Sequence, residues 1–268
     1  MQVVFAKYGG FCSGVKRAVD TAMRIEPENT YIYGEIIHNR DVVDEIEKRG
    51  IKTVNDLSEV PDGARLIIRS HGAGKAVFEE CARRNIEAVD CTCAFVRRTQ
   101  HIVKEKSAEG KTIVIVGERT HPEVIGITGW CENGAHVISS EEDDFGFLKG
   151  KDCCVVAQTT FSEEKFEKII KNLRDKRGKT VEVFKTICYT TVSRQNEARK
   201  LAAECDAILV IGGLNSSNTG KLYDICKEHC ENVFRLKNAE DCDYMKLKSF
   251  KKVGVVTGAS TPNEQTQE

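Results

Sequence analysis

The sequence has 268 residues and a net charge of −1, with 40% apolar and 30% charged residues. A chain of this size builds one large domain, or two to three small ones, around a proper hydrophobic core. Its near-neutral charge argues against a general binder of nucleic acids or membrane surfaces, because no excess basic field exists. No apolar run approaches the roughly 18 residues of a membrane span, and the first residues lack a signal-peptide pattern. We therefore expect a cytoplasmic protein.

The chain contains twelve Cys, which is many for a protein of a reducing compartment. A chain of this length does not need disulfides to stabilise it, and no export signal is apparent. We expect most of these thiols to pack as small hydrophobic groups and a few to serve in catalysis or metal binding.

Short β-branched runs recur along the chain, and nearly all of them end at a polar loop. The five clearest runs span residues 65–69, 112–116, 152–157, 207–211 and 252–256. Runs that are apolar nearly throughout are typical of central strands in a parallel sheet that is covered on both faces.

Amphipathic stretches of helical length alternate with these strands. They span residues 75–84, 94–109, 162–177, 193–204 and 219–230. Ser162 precedes Glu163 and Glu164, which predicts a helix start with a capping hydroxyl and acids in the first turn. The alternation of strands and helices predicts an α/β architecture with right-handed crossovers.

One pattern occurs three times: a Cys follows a short apolar or β-prone run, and a Val and then an Arg follow on a new helix. The three cysteines are Cys12, Cys93 and Cys188. The next polar loop lies 26, 28 and 27 residues later, at His38, His121 and Asn215. A second polar loop lies 59, 66 and 72 residues after each Cys, at His71, Thr159 and Ser260.

These repeats predict three similar small αβα lobes, with mostly parallel sheets, around a pseudo-threefold axis. We expect the lobes to span residues 1–93, 94–187 and 188–268, with residues 1–11 as a candidate extra strand of the third lobe. Because open α/β sheets bind ligands at the carboxyl ends of their strands, we expect the polar loops to converge on one central pocket.

The three repeated cysteines are the candidate metal ligands. Three thiols at matched positions are compatible with a zinc site, an iron–sulfur cluster or three buried thiols. A [4Fe–4S] cluster normally takes four Cys, so three would leave one iron open for a substrate. Cys91 lies two residues before Cys93, and we take Cys93 as the ligand because the Val–Arg element follows it.

The polar loops supply candidate groups for binding an anion and for transferring a proton. Imidazole, hydroxyl and amide groups suit phosphate oxygens, and the candidates are His38, His71, His121, Ser216, Ser217, Asn218 and Ser260. Glu123 lies two residues after His121 in a mostly neutral setting and is a candidate proton donor. Thr159 is a candidate proton relay or hydroxyl ligand. The sequence contains no P-loop and no G-x-G-x-x-G at a strand-to-helix junction.

The motifs that contain these residues form a specific series. In chain order they are G-F-C-S-G-V, S-H-G, D-C-T-C-A-F-V, H-P-E-V-I-G, Q-T-T, T-I-C-Y-T-T, N-S-S-N and G-A-S-T-P. The series extends from Cys12 to Pro262 and resembles the 4-hydroxy-3-methylbut-2-enyl diphosphate reductases, the terminal enzymes of the non-mevalonate isoprenoid pathway.

The resemblance implies a three-lobed fold and one [4Fe–4S] cluster on Cys12, Cys93 and Cys188. It implies that the allylic hydroxyl of the substrate is removed with two electrons from a ferredoxin or flavodoxin. Glu123 corresponds to the proton donor, and Thr159 and Thr191 correspond to groups near the substrate hydroxyl. The His, Ser and Asn residues of the polar loops correspond to the diphosphate contacts. We also expect a monomer.

Three alternatives remain open from the sequence. The first is a three-Cys [4Fe–4S] dehydratase or synthase of the quinolinate-synthase type. The second is a zinc hydrolase that uses His71, His121 and Glu123, although the sequence lacks a closely spaced His pair. The third is a redox sensor or electron carrier, which would not need a donor-rich pocket beside its cluster.

Overall fold

The structure is a computed structural model that describes residues 1–175 and 181–262. Its described strands form three four-stranded sheets, and every neighbouring pair of strands is parallel. Helices lie between successive strands, as crossover connections between parallel strands require. None of the described helices is both long and apolar enough to cross a membrane.

The first sheet has the strand order β3-β2-β4-β5. Its strands are β2 (Thr30–Tyr33), β3 (Lys52–Val54), β4 (Arg65–Ile68) and β5 (Glu87–Asp90). The helices of this part of the chain are α1 (Ser13–Arg24), α2 (Arg40–Lys48) and α3 (Lys75–Arg83). Two apolar clusters form its core, one containing α1 and α2 and the other containing α3.

The second sheet repeats this order as β7-β6-β8-β9. Its strands are β6 (Thr112–Val116), β7 (His136–Ile138), β8 (Cys153–Ala157) and β9 (Val181–Val183). Its helices are α4 (Ala94–Ala108), α5 (Pro122–Thr128) and α6 (Glu163–Asp175). All five residues of β8 are buried, as its unbroken apolar sequence predicts for a strand covered on both faces.

The third sheet has the order β11-β10-β12-β1. Its strands are β10 (Ala207–Ile211), β11 (Val233–Leu236), β12 (Lys252–Thr257) and the first strand of the chain, β1 (Gln2–Phe5). Its helices are α7 (Tyr189–Glu204), α8 (Ser217–His229) and the short α9 (Tyr244–Leu247). Strand β1 takes the place that β5 and β9 take in the other sheets, and each of these three strands leads to a repeated Cys.

Equivalent hydrogen bonds recur in the three units. The backbone N–H groups of Cys12, Cys93 and Cys188 donate to the carbonyls of Ala259, Ser70 and Thr159, at 3.1, 2.9 and 3.0 Å. Each bond ties a cysteine loop to the loop after the neighbouring strand. We propose lobes of residues 1–93, 94–187 and 188–268 on this basis, with β1 contributed to the third sheet.

The strand predictions for 112–116 and 207–211 are confirmed residue for residue. Two helices begin earlier than predicted: α7 at Tyr189 rather than 193, and α8 at Ser217 rather than 219. Polar first turns explain both errors, because the Thr and Ser residues there are typical of loops. The last two residues of the predicted helix 162–177 lie outside the described part of the chain.

Candidate active site

A central cavity lies at the carboxyl ends of the strands and encloses about 710 Å³, part of it continuous with solvent. Every site residue predicted from the sequence lines it. These residues are Cys12, Cys93, Cys188, His38, His71, His121, Glu123, Thr159, Thr191, Ser216, Ser217, Asn218 and Ser260. Asn215, which the repeat spacing marks, is exposed and is not part of the cavity lining.

The three cysteines form one wall of the cavity, and each is the N-cap residue of a helix. Cys12, Cys93 and Cys188 precede α1, α4 and α7, and all three are partly exposed to the cavity. Burial raises the pKa of Cys93, and the charges of Cys12 and Cys188 raise it further, so the three thiols lie close together. A Cβ added at Gly14 would lie 2.7 Å from the Cys93 sulfur. Gly14 therefore leaves the room that this thiol needs.

Cys91 and Cys93 lie in different environments. Cys91 is buried in the apolar core of the first unit, beside Ala18 and Ala22, and does not line the cavity. Burial raises the pKa of its thiol, as is typical of an inert structural Cys. Only the thiol of Cys93 lies with the other two repeated cysteines.

A second wall of the cavity carries three histidines whose rings lie close together. The ring centroids of His38 and His71 are 4.6 Å apart, and those of His121 lie 5.6 and 5.5 Å from them. Burial lowers the pKa of His38, lowers that of His71 well below its usual value and lowers that of His121 to about 4. All three imidazoles are therefore neutral at pH 7 in the free protein.

A hydrogen bond fixes the proton position on the His121 ring. His121 Nδ1 accepts the backbone N–H of Glu123 at 3.1 Å, so the proton of this neutral ring lies on Nε2. His38 Nδ1 lies 3.4 Å from a carboxylate oxygen of Glu35. His38 Nε2 and His71 Nδ1 are buried without a hydrogen-bond partner among the described residues. Since buried polar nitrogens are normally satisfied, these two point to a ligand.

The imidazoles are close enough to be considered as a metal site, since one nitrogen from each lies within 4.8 Å of the others. The lone pair of His121 Nδ1 already accepts a hydrogen bond, and its Nε2 carries the proton. A neutral ring in this state has no free lone pair for a metal. The arrangement favours hydrogen-bond donation to an anion and argues against the zinc alternative.

Glu123 is the buried carboxyl group of the cavity, with 2% of its surface exposed. It lies in the first turn of α5, directly after Pro122, the first residue of the helix, and His121 is the N-cap residue. Its two oxygens accept the backbone N–H of Thr159 at 2.5 Å and the Thr159 hydroxyl at 2.7 Å. Burial outweighs these two bonds and raises the pKa of Glu123 to about 7. At neutral pH this group can therefore hold and release a proton.

The hydroxyl and amide groups complete the histidine wall. Ser216 caps α8 through its own hydroxyl, which accepts the Thr219 N–H. Ser217 donates to Glu118 at 3.3 Å, and Glu118 also pairs with Lys221 at 2.8 Å. The buried amide nitrogen of Asn218 has no partner among the described residues. The start of α8 thus presents further donors to the cavity, where a helix N-terminus favours negative charge.

The sequence matches the family model described as LytB protein over residues 3–268. The chain belongs to the LytB protein family. It is 43% identical over 267 residues to the 4-hydroxy-3-methylbut-2-enyl diphosphate reductase of Alkaliphilus oremlandii, covering 98% of this chain and 95% of that protein. It is 41% identical over 268 residues to the reductase of the same name from Clostridioides difficile, again covering 98% and 95%.

Two solved structures are similar to this LytB family member. The E-1-hydroxy-2-methyl-but-2-enyl-4-diphosphate reductase of Plasmodium falciparum superposes with a TM-score of 0.91 and 29% identity, over 99% of this chain and 86% of that one. A structure of (E)-4-hydroxy-3-methyl-but-2-enyl diphosphate reductase, described as the terminal enzyme of the non-mevalonate pathway, has a TM-score of 0.71 and 34% identity, over 100% and 97%. The predicted three-lobed α/β fold is confirmed.

Sequence reasoning missed several residues of this LytB family site. Ser70, Thr160 and Thr190 also line the cavity, but no role was predicted for them. The sequence pattern includes an arginine after each repeated Cys but does not predict which groups these arginines contact. One of these arginines, Arg194, is buried behind the cysteine wall.

Proposed function

We propose that this chain removes the allylic hydroxyl of (E)-4-hydroxy-3-methylbut-2-enyl diphosphate by reduction, giving isopentenyl and dimethylallyl diphosphate. Membership of the LytB protein family, and relatives named for this activity, support the proposal. Its chemistry is that of an iron–sulfur oxidoreductase of isoprenoid biosynthesis. The observation that carries it is one cavity that joins three thiols, a donor-rich wall and a protonatable buried carboxyl.

Cys12, Cys93 and Cys188 are the proposed ligands of one [4Fe–4S] cluster. Their clustering in one wall fits the group, because thiolates are the usual protein ligands of iron–sulfur clusters. When bound, such a cluster would pass on, one at a time, the two electrons that the carrier protein provides, and it would offer an iron position that the protein leaves unligated. The chain itself holds the three sulfurs at helix N-termini, where the helix dipole favours negative charge.

The histidine wall is the proposed diphosphate site. His121 offers an Nε2 proton to a phosphate oxygen, while Asn218 and the serines offer amide and hydroxyl donors. A bound diphosphate would raise the pKa of the neutral imidazoles, because an adjacent anion stabilises their charged form. We therefore expect the site to take up protons as the diphosphate binds.

Glu123 is the proposed proton donor to the substrate oxygen. With a pKa near 7, its acid form is well populated at neutral pH, and Thr159 holds the carboxyl in place. Overall, the reaction consumes two electrons and two protons, the carbon–oxygen bond breaks and the oxygen leaves as water. Thr191, buried in the first turn of α7, is a proposed neighbour of the substrate hydroxyl together with Thr159.

The proposal includes a one-electron carrier protein, a ferredoxin or a flavodoxin, as the electron donor. It also includes a monomeric enzyme that works in the cytoplasm and binds neither nucleic acid nor membrane. The net charge of −1 supports the absence of a nucleic-acid or membrane partner, since no general basic field attracts either.

Anaerobic turnover of the hydroxylated diphosphate with a reduced viologen dye tests this function. We expect the protein to be brown, to contain about four irons per chain and to form both products. A colourless protein with one zinc would overturn the proposal. Iron without turnover of this substrate would favour the dehydratase or electron-carrier alternatives.

A further inference from the structure

Helix α7 holds the loop that leads to Cys12. The Glu197 carboxylate accepts the backbone N–H groups of Lys7 and Tyr8, at 2.5 and 2.9 Å. One turn earlier, Arg194 donates to the carbonyls of Gly9 and Gly10, at 3.3 and 2.7 Å. Because Cys188 is the N-cap residue of α7, this single helix positions two of the three cysteine corners.

The Arg194 guanidinium is a buried cation without a bonded anion. The residue is 3% exposed, and its remaining hydrogen bonds go to the carbonyl and hydroxyl of Thr257 at 2.8 and 3.5 Å. No carboxylate accepts a hydrogen bond from it within residues 1–175 and 181–262. Its Nε atom has no partner there either. Burying a cation without a paired anion costs folding free energy. A charged group at this buried position therefore needs an explanation.

Arg194 is joined to the Cys12 loop by its bond to the Gly10 carbonyl, two residues before Cys12, and it lies on the helix that Cys188 caps. Burial lowers the pKa of Arg194, and the charges of Cys12, Glu197 and Cys188 raise it. Two of these three are proposed cluster ligands. The guanidinium therefore lies in the electrostatic field of the cysteine wall. It is separated from solvent, which would otherwise screen the interaction.

The arginines of the other two units lie five and four residues after Cys12 and Cys93, whereas Arg194 lies six residues after Cys188, and their surroundings differ. Arg17 of α1 is exposed and donates to the carbonyl of Thr92, just before Cys93. Arg97 of α4 is exposed and pairs with Asp90 at 2.7 Å. Of these three arginines, only Arg194 has its guanidinium in the interior. The buried charge is therefore a feature of one corner and not of the repeat.

We propose that the buried charge of Arg194 stabilises the reduced state of the iron–sulfur cluster and raises its reduction potential. The inference rests on the proposed function, since it assumes a cluster on the three cysteines. Reduction adds negative charge to a thiolate-ligated cluster, and a nearby cation in a dry environment favours that added charge. Its bonds to Gly9 and Gly10 keep the cation and the Cys12 loop together.

The test compares the reduction potentials of four anaerobically purified holoproteins: wild type, R194K, R194Q and E197Q. The potential is measured by dye-mediated titration followed by visible absorption and electron paramagnetic resonance. For R194Q we expect at least a tenfold smaller ratio of reduced to oxidised cluster at a fixed ambient potential, about 59 mV for a one-electron couple. R194K keeps the charge, so its ratio should stay within about threefold of wild type.

E197Q is the matched control because Glu197 holds the same loop with the opposite charge. If electrostatics sets the potential, E197Q raises it or leaves it unchanged, while R194Q lowers it. If both residues only hold the loop, the two variants shift the potential in the same direction or lose iron to a similar extent. That result would overturn the proposal.

Two further outcomes are informative. If R194Q does not retain its cluster, the reduction potentials of R194K and E197Q test the inference instead. A tenfold fall in R194K, or any fall in E197Q, then contradicts the inference. A wild-type protein without iron or turnover would instead contradict the proposed function. Active wild type with an unchanged R194Q potential would contradict this inference alone.

Discussion

The two walls of the central cavity come from the same repeat but differ in symmetry. The cysteine wall keeps the repeat: each corner has the same residue, the same N-cap position and the same backbone bond to the loop after the neighbouring strand. The histidine wall does not. The first loops cap their helices with Asn39, His121 and Ser216, and the second loops carry His71, Thr159 and Ser260.

The difference in symmetry between the two walls follows from what each wall is proposed to bind. The proposed cluster takes the same kind of ligand at three corners, so the repeat alone can build its site. A substrate with a charged end and a hydroxyl end needs different groups at each position, so its site required divergence of the loops. Glu123 illustrates this divergence, because Asp41 and Asn218 occupy the same position relative to the N-cap in α2 and α8. Only Glu123 is a buried carboxyl.

The largest expected effect is on the symmetric wall, where one corner offers two thiols. Cys93→Ser should lose most of its iron and all detectable turnover, since one ligand of three is removed. The matched control, Cys91→Ser, should keep its iron and turnover and lose about 1–3 kcal/mol of stability through burial of a hydroxyl. Iron analysis and urea unfolding measure both. The reverse pattern would make Cys91 the ligand.

The next effect is on the asymmetric wall. Glu123→Gln should lose about 10²- to 10⁴-fold in turnover, the usual range for general acid catalysis. Iron content and pyrophosphate binding should stay at the wild-type level, because the amide keeps the shape and one acceptor for Thr159. Asp41→Asn changes the residue at the equivalent position of α2, outside the cavity, and should be close to wild type. Equal turnover in both variants would remove Glu123 from proton transfer.

The pH dependence of turnover probes the same carboxyl. Since the acid form of Glu123 is required and its pKa is about 7, turnover should fall as the pH rises through this value. The Thr159 hydroxyl stabilises the carboxylate and lowers this pKa. Thr159→Val should therefore move the alkaline fall to higher pH, whereas Thr159→Ser should not. If the pH of the alkaline fall is the same in wild type and in both Thr159 variants, the fall belongs to another group.

The smallest effect concerns the histidines. Since burial keeps them neutral in the free protein, pyrophosphate binding should take up protons. For each histidine that gains a proton, binding should weaken by up to about tenfold per pH unit as the pH rises from the lowered pKa of the free ring to the raised pKa of the bound ring. Calorimetry in two buffers of different ionisation enthalpy gives the number of protons. His71→Gln should reduce it, while the exposed His101→Gln should not. Zero uptake in wild type would mean that the imidazoles bind as neutral donors.

The sequence predicted the symmetric wall well and the asymmetric wall in outline. Matched cysteines and regular spacing identify equivalent corners, because a repeat preserves chain distances. The spacing pointed to Asn215, yet Ser216 is the capping residue, since a one-residue offset is not visible in spacing alone. The choice of Cys93 over Cys91 rested on the Val–Arg element that follows Cys93, but neither the burial of Cys91 nor the interior position of Arg194 could be predicted. Both depend on which face of an element meets the core.

Strand β1 also sets an order for assembly. Its described partner is β12, which ends at Thr257, so within the described residues the first strand has no sheet to join until β12 has been synthesised. The first and second sheets can form earlier, as N-terminal units generally do during translation. The Cys12 loop is fixed last, by β12 and α7. The proposed iron–sulfur site is therefore completed only after α7 and β12 have been synthesised, so we expect cluster delivery to follow the pairing of β1 with β12.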